Sequence, residues 1–174
     1  NNHKGIEKKP HIFIIMVESF NASFVESRNE TGKEFTPYFN QLIKKGIYVE
    51  EFYGNSVQSC KGQFATLTSL IPPISGFGFR HYYKTNYKTL SEHLKEAGYY
   101  NIFFQASGNL LVDNTQAFLQ KHAFHKVETA KKFTTKEDDP YIFGWGMQDK
   151  RLYKHFFDYY DQHLTHKNKP IFAI

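Results

Sequence analysis

The chain has 174 residues, and its 22 Lys and Arg against 17 Asp and Glu leave a formal charge of +5 with histidine neutral. Aromatics make up 18% of it, more burial than a disordered chain carries, and the length suits one domain with a single sizeable core. The longest apolar run, Ile12 to Val17, falls well short of the ~18 residues a membrane helix needs, and the lone Cys60 excludes both an internal disulfide framework and a Cys-rich zinc site.

The first punctuated segment, Pro10 to Ser19, is a β-rich apolar run of the kind that fills a central parallel strand covered on both faces, and it ends on the carboxylate of Glu18. Asn21 to Lys33 is polar and reads as a loop; its two glycosylation sequons, Asn21-Ala-Ser23 and Asn29-Glu-Thr31, are short patterns that arise often by chance. Thr36-Pro37 opens a helix, with Thr as N-cap and Pro where a missing N–H costs nothing. Phe39, Leu42 and Ile43 form its buried stripe, Gly46 is its expected left-handed cap, and Ile47 to Tyr53 reads as a short strand.

A second helix is expected to begin close to Ser59, because Phe64, Leu67, Thr68 and Ile71 follow helical spacing until Pro72-Pro73 stops them. Thr89-Leu-Ser-Glu92 is a capping box, Leu90, Leu94 and Ala97 form the inner face behind it, and Gly98 closes that helix. Tyr99 to Phe104 is a strand, Thr115 to His122 a helix, Thr129 to Pro140 a polar loop, Gln148 to His163 a helix, and Pro170 to Ile174 a buried strand. Alternating strands and helices predict an α/β fold with a mostly parallel central sheet flanked by helices. The chain starts without Met and stops inside a strand, so it is expected to be one domain over 1–174, truncated on its C-terminal side.

In open α/β sheets the reactive groups gather outside the carboxyl ends of the strands, where Glu18 is expected to lie. An oxygen donor there suits a divalent cation, though a polar residue leaving a strand is the plainer reading. Ser59, at a helix start, is either a simple cap or a nucleophile beside N–H groups that favour an oxyanion. His122, His125, His155 and His163 lie at a helix end or along the last helix, where solvated or dipole-facing roles are the commoner ones. The lysines are scattered, so the positive balance points to mild attraction for anions and not to nucleic acid.

These residues resemble a known group, the alkaline phosphatase superfamily, in its sulfatase and lipoteichoic acid synthase-like branch. Ile12 to Phe20 is similar to the strand-Glu-Ser-Phe metal-binding entry of the synthase-like phosphotransferases. Thr36 to Tyr53 resembles the segment sulfatases carry before the nucleophile, and Thr89 to Tyr99 resembles their next helix and strand. Laid over the sulfatase signature, Ser59 takes the nucleophile position, Thr68 falls on the Thr and Pro72 on the final Pro. Lys61-Gly62-Gln63 stands where the residues guiding formylglycine formation would be, which implies a serine used directly.

The resemblance implies an alkaline phosphatase/sulfatase-like fold of which this is the N-terminal part. It also implies metal-dependent transfer or hydrolysis of phosphate or sulfate esters through a covalent Ser59 intermediate. Glu18 and Ser59 would be metal ligands to a divalent ion (Mn, Zn, Mg or Ca), two donors where about four are usual. Trp145, in a Gly-Trp-Gly segment similar to one the family carries further on, would line the substrate pocket with Gln105 and Asn109, and His81, after the Gly-rich Pro72 to Phe79 loop next to the Ser59 helix, could reach a substrate anion with Arg80. The implied substrate is an anionic ester linked to a lipid or glycan of the envelope, handled on the extracytoplasmic face by an ectodomain joined to the membrane through segments outside this chain. Two alternatives stay open: a true sulfatase, and a catalytically silent domain that recognises anionic lipids.

Overall fold

The computed structural model describes residues 9–76, 78–107, 114–144, 146–165 and 168–174. By backbone contacts the chain divides into two compact units, one made of the chain up to Ile15 and from Asn55 onward, the other Met16–Gly54.

The larger unit is the α/β layer the alternation predicts. In chain order its elements are β1 (Ile12–Phe13), α2 (Ser59–Thr68), α3 (Gly78–Tyr82), α4 (Leu90–Glu96), β2 (Tyr100–Gln105), α5 (Thr115–Lys121), β3 (Lys126–Thr129), α6 (Ala130–Phe133), β4 (Ile142–Phe143), β5 (Gly146–Met147), α7 (Asp149–Tyr159) and β6 (Ile171–Ala173), while helix α1 (Pro37–Ile43) belongs to the smaller unit. Four strands form a sheet in the order β1-β6-β2-β3, every pair parallel. Side chains alternate across it as the two-residue period of a strand requires. Phe103, Val127 and Phe172 face a core shared with Phe64 and Leu67 of α2, Phe79 of α3, and Phe118 and Leu119 of α5. Ile102, Ile171 and Ala173 face the other way, onto Phe156 of α7 and Leu164. Both faces of β6 are therefore covered, and Ile171 and Phe172 are 0% exposed. Each such side chain contributes about 1.5–3 kcal/mol on burial, so the central position of β6 follows from its unbroken apolar run.

The helix signals hold at α4. Thr89 accepts from the Glu92 amide while Glu92 accepts from the Thr89 amide, and Gly98 closes the helix with φ +89°. Leu90, Leu94 and Ala97 pack against the main core. Helix α7 runs on through a π-helical turn, Tyr160–Leu164, which carries Leu164 into the second core at 2% exposure.

Two histidines bond to strand backbone, His125 among them where the sequence suggested a solvated or dipole-facing role. His125 Nδ1 accepts the Asn101 amide of β2 at 2.9 Å, and His11 Nδ1 accepts the Ile171 amide of β6 at 3.0 Å. Each ring thus satisfies an amide at the start of a strand, the second of β2 and the first of β6, and an acceptor nitrogen carries no proton. His122 is buried at 1% exposure, Nδ1 3.4 Å from Glu92. Burial holds its pKa below the ordinary histidine value, against the Glu92 carboxylate, which pulls the other way.

Other expectations are corrected. β1 spans two residues at the outside of the described sheet, and its ladder ends where Ile14 donates to the Ala173 carbonyl. Ile12 and Ile14 pack inward while Phe13, Ile15 and Val17 are exposed, so it is not a strand covered on both faces. α2 stops at Thr68 because Ser69 turns left-handed (φ 59°), which leaves Ile71 outside the helix and 90% exposed. Thr129 to Pro140 is not a plain loop: it closes β3, forms α6, and continues as the 3-10 helix Lys136–Tyr141 around the fully buried Asp138.

In the smaller unit α1 starts at Pro37 as expected, but Thr36 makes no capping bond; its hydroxyl instead donates to Phe24 O (3.0 Å) and Asn40 Oδ1 (2.9 Å). Helix α1 ends at Ile43, where Lys45 donates to the Leu42 carbonyl, so Gly46 is not needed as a left-handed cap and does not adopt that conformation. Phe39 and Ile43 are half-buried, Leu42 is 62% exposed, and Ile47 to Tyr53 forms no strand.

Candidate functional site

Ser59 is the first helical residue of α2 and is solvent-exposed, while its neighbour Cys60 is half-buried against the main core. One step along a helix turns a side chain by about 100°, so the serine points out because the cysteine points in. Gln58 precedes it in extended conformation without a side-chain cap, and its carbonyl accepts the amides of Lys61 (3.0 Å) and Gly62 (3.2 Å). The amino end of a ten-residue helix carries a partial positive charge suited to an oxyanion.

The buried face of α2 comprises Lys61, Phe64, Ala65, Leu67 and Thr68. Helix α3 packs on it closely: a Cβ on Gly78 would stand 2.8 Å from the Phe64 ring. Phe79 completes the seam at 0% exposure, 6.0 Å from Phe64 and 4.5 Å from Phe118. The same short helix carries Arg80 and His81, both exposed, so these two candidates are mounted on a helix packed against the one that bears Ser59. The chain before it turns at Gly76, φ +75°, where a Cβ would lie 2.5 Å from the His81 ring.

Gln105 closes β2 at the carboxyl end of the sheet, and its Oε1 is buried without a hydrogen-bond partner. Beyond it, Ser107 bridges to Gly146, and Met147 donates to the Ala106 carbonyl at 3.2 Å, which seats the β4–β5 hairpin on the strand end. A Cβ on Gly146 would be 2.8 Å from the Ala106 carbonyl oxygen, so glycine is required for that approach. Trp145 and Asn109 lie outside the described residues. An open cavity of about 460 Å³ lined by Glu92, Lys121 and His125 lies at the amino end of β2 and β3, away from the strand end that holds Gln105.

Glu18 belongs to the smaller unit. It sits exposed in a turn with left-handed Ser19 (φ 53°), whose hydroxyl donates to Glu18 Oε1 at 3.1 Å. It is therefore not rigidly held on the end of a ladder, because the β1 pairing stops at Ile14.

The sulfatase family matches residues 10–174. The chain belongs to the sulfatase family. This sulfatase-family chain is 30% identical over 158 residues to the lipoteichoic acid synthase-like protein YvgJ of Bacillus subtilis, covering 85% of this chain and 24% of that protein. Its fold matches the lipoteichoic acid synthase LtaP of Listeria monocytogenes with a TM-score of 0.82 at 17% identity, over 94% of this chain and 39% of that one. A Vibrio parahaemolyticus protein of the alkaline phosphatase superfamily matches with a TM-score of 0.75 at 26% identity, over 95% and 39%. The chain thus spans about a quarter of the curated relative and two-fifths of the solved ones. The superfamily performs hydrolase and transferase chemistry and is commonly metal-dependent.

The donors here do not by themselves fit a metal ion. Among the described residues no three His, Cys, Asp or Glu side chains converge, and Glu18 and Ser59 offer one carboxylate and one hydroxyl. No helix among the described residues is long and apolar enough to cross a membrane.

Sequence reasoning missed the burial of Lys61 and of Asp138. For Lys61 a signal existed: it precedes Phe64 by three, Ala65 by four and Thr68 by seven, the spacing of an inward stripe. For Asp138 there was none, since its partners stand 13 and 17 residues further on.

Proposed function

We propose that this chain carries the nucleophile of an enzyme that transfers or hydrolyses phosphate or sulfate esters, with Ser59 as the attacking residue. The observation that carries the reading is the exposed hydroxyl at the uncapped amino end of α2, with Cys60 turned into the core. In the first step a bond forms from Ser59 Oγ to phosphorus or sulfur while the ester bond to the leaving alcohol breaks, and the serine proton ends on that alcohol. In the second step an acceptor alcohol or water displaces Oγ, and its proton restores the serine. Arg80 and His81 are our candidates for binding the anionic group, and Gln105, with a buried acceptor lacking a donor, for a hydroxyl of either alcohol. Trp145 and Asn109 remain proposed pocket residues on sequence grounds alone.

Ser59 and, in the smaller unit, Glu18 are each proposed as an oxygen donor to a divalent ion on the strength of the sequence resemblance alone, and no step above is routed through such an ion. A lipid- or glycan-linked envelope ester is the proposed substrate class, met on the extracytoplasmic face. The support is the likeness to proteins named as lipoteichoic acid synthase and synthase-like. Lys61-Gly62-Gln63 favours serine used as such over formylglycine.

The test is phosphodiester turnover by the protein and its Ser59→Ala form, with mass spectrometry of the Ser59 peptide after rapid quenching. A phosphoryl or sulfuryl adduct on Ser59 and loss of turnover in the variant are expected. Equal rates would remove the assignment, and formylglycine at position 59 would make it a true sulfatase.

A further inference from the structure

The loop between α2 and α3 turns its largest apolar side chains into water. Ser69 leaves α2 left-handed, and beyond it Ile71 is 90% and Ile74 100% exposed, with Leu70 at 44%. Proline fixes its own φ near about −65° and drives the residue before it to extended backbone, so Ile71-Pro72-Pro73-Ile74 favours a polyproline-like path with about three residues to a turn. Residues three apart then share a side. In keeping with that period, Ile71 and Ile74 are exposed while Pro72 between them is buried.

This tip is tied down at both ends. The buried Lys61 of α2 donates from Nζ to the Ile74 carbonyl at 2.8 Å. Gly76 lies so close to the His81 ring of α3 that a Cβ would stand 2.5 Å from it, and Gly78 lies as closely against Phe64 of α2. The isoleucines are therefore presented on a fixed backbone.

Positive charge gathers on the same stretch. Residues 55–91 contain four cations, Lys61, Arg80, Lys84 and Lys88, and no Asp or Glu, so four of the five formal positive charges of the chain lie there. Lys61 is turned inward to Ile74, and Lys88 pairs with Glu96. Arg80 and Lys84 are exposed and enter no ion pair among the described residues. Tyr82 between them is 39% exposed, and the amphipathic tyrosine ring suits the boundary between lipid headgroups and water.

We propose that loop 70–76 and α3 form a docking surface for an anionic lipid bilayer, with Ile71 and Ile74 entering the interface and Arg80 and Lys84 meeting the headgroups. Two isoleucines on a proline-stiffened tip offer far less area than a stable protein interface needs, whereas a fluid surface closes around them and its negative charge complements a stretch without carboxylates. The proposal deepens the functional reading above and rests on it for its purpose: an ester carried by an envelope lipid is met at that surface, and the loop leads directly from the helix that bears Ser59.

The test is flotation of the protein with vesicles of equal parts phosphatidylcholine and phosphatidylglycerol, and with vesicles of phosphatidylcholine alone. Binding is expected on the anionic vesicles, about tenfold weaker in the Ile71→Ser/Ile74→Ser double variant and about fivefold weaker in Lys84→Gln, with melting temperatures unmoved. Equal binding to both vesicle types, no binding to either, or parent-like binding by the double variant overturns the proposal. An environment-sensitive fluorophore on Ile74→Cys, with Cys60→Ala to leave one thiol, should shift to the blue on anionic vesicles while the same label on Lys150→Cys in α7 stays put; equal responses, or none, overturn it. Dimerisation that the double variant abolishes would assign the tip to a second copy and overturn it as well. Turnover of a water-soluble phosphodiester should be the same in the double variant and the parent, and Ser59→Ala should float as the parent does, so failure of the nucleophile assignment and failure of this surface are read in separate experiments.

Discussion

The carboxylate of Asp138 should make this fold acid-labile in a way that one substitution abolishes. Asp138 is 0% exposed. Its Oδ2 accepts the Thr135 amide at 2.8 Å and the Thr135 hydroxyl at 3.1 Å, while Oδ1 accepts His155 Nε2 at 2.9 Å and the Arg151 Nε–H. Burial alone would push the pKa up, but the Thr135 amide, the Arg151 guanidinium and His155 outweigh it and hold the group well below the usual carboxylate range. The folded state therefore binds this proton more weakly than the unfolded chain, whose aspartates titrate near about 3.9. The stabilisation is fully present above that value and is lost as pH falls toward the folded one, at up to about 1.4 kcal/mol per pH unit. Removing one partner of an enclosed pair costs about 3–5 kcal/mol. The Arg151 and His155 side chains are 20% and 17% exposed and can regain some water, so about 2–3 kcal/mol is expected for Asp138→Asn at pH 7. At roughly 2–4 °C per kcal/mol for a chain of this size, the melting temperature should drop by about 5–10 °C. The assay is thermal melting by circular dichroism from pH 7 to pH 2.5. The variant should start lower and lose less below pH 4. An unchanged melting temperature at pH 7, or an acid slope as steep as the parent's, would refute the account of the cluster.

Three further outcomes follow from the packing. Thr89→Ala removes the side-chain half of a buried capping box, while the amide of residue 89 can still donate to Glu92, and should cost about 1 kcal/mol in urea unfolding, with Thr89→Ser recovering most of it. Gly78→Ala would press a methyl within 2.8 Å of the Phe64 ring; about 1–3 kcal/mol of destabilisation is expected, along with weaker binding of any anion that needs Arg80 or His81, and a variant as stable as the parent would show that α3 can move aside. His122 is held neutral by burial, so its folded pKa lies below the unfolded value near about 6.5 and the unfolded chain takes up more protons as pH falls. Stability should decline below that value, and His122→Gln should flatten the decline between pH 6.5 and 5 even if the variant is less stable at pH 8.

The elements that were legible in the sequence are those whose signal is local. Thr89-Leu-Ser-Glu92 closes its own reciprocal bonds within four residues, and Ile171-Phe172-Ala173 is apolar on both faces because it lies between β1 and β2. The placement of Ser59 was legible to the same extent: it heads α2 because the inward stripe of Phe64, Leu67 and Thr68 sets the phase of the helix, and that phase puts Cys60 inside and the serine outside. What failed was set by partners distant in the chain. Ile12 to Val17 has the composition of a covered strand, yet only Ile12 and Phe13 pair, since a ladder can be no longer than its register with β6 allows. The charged stretch before Pro140 reads as solvated because nothing in it announces that Arg151 and His155 will arrive on α7 to enclose Asp138. Lys61 is the instructive middle case. Its place in the inward stripe could be read, but residue type argued for solvent, and the two indications conflict only because the chain holds a cation where packing alone would want a leucine.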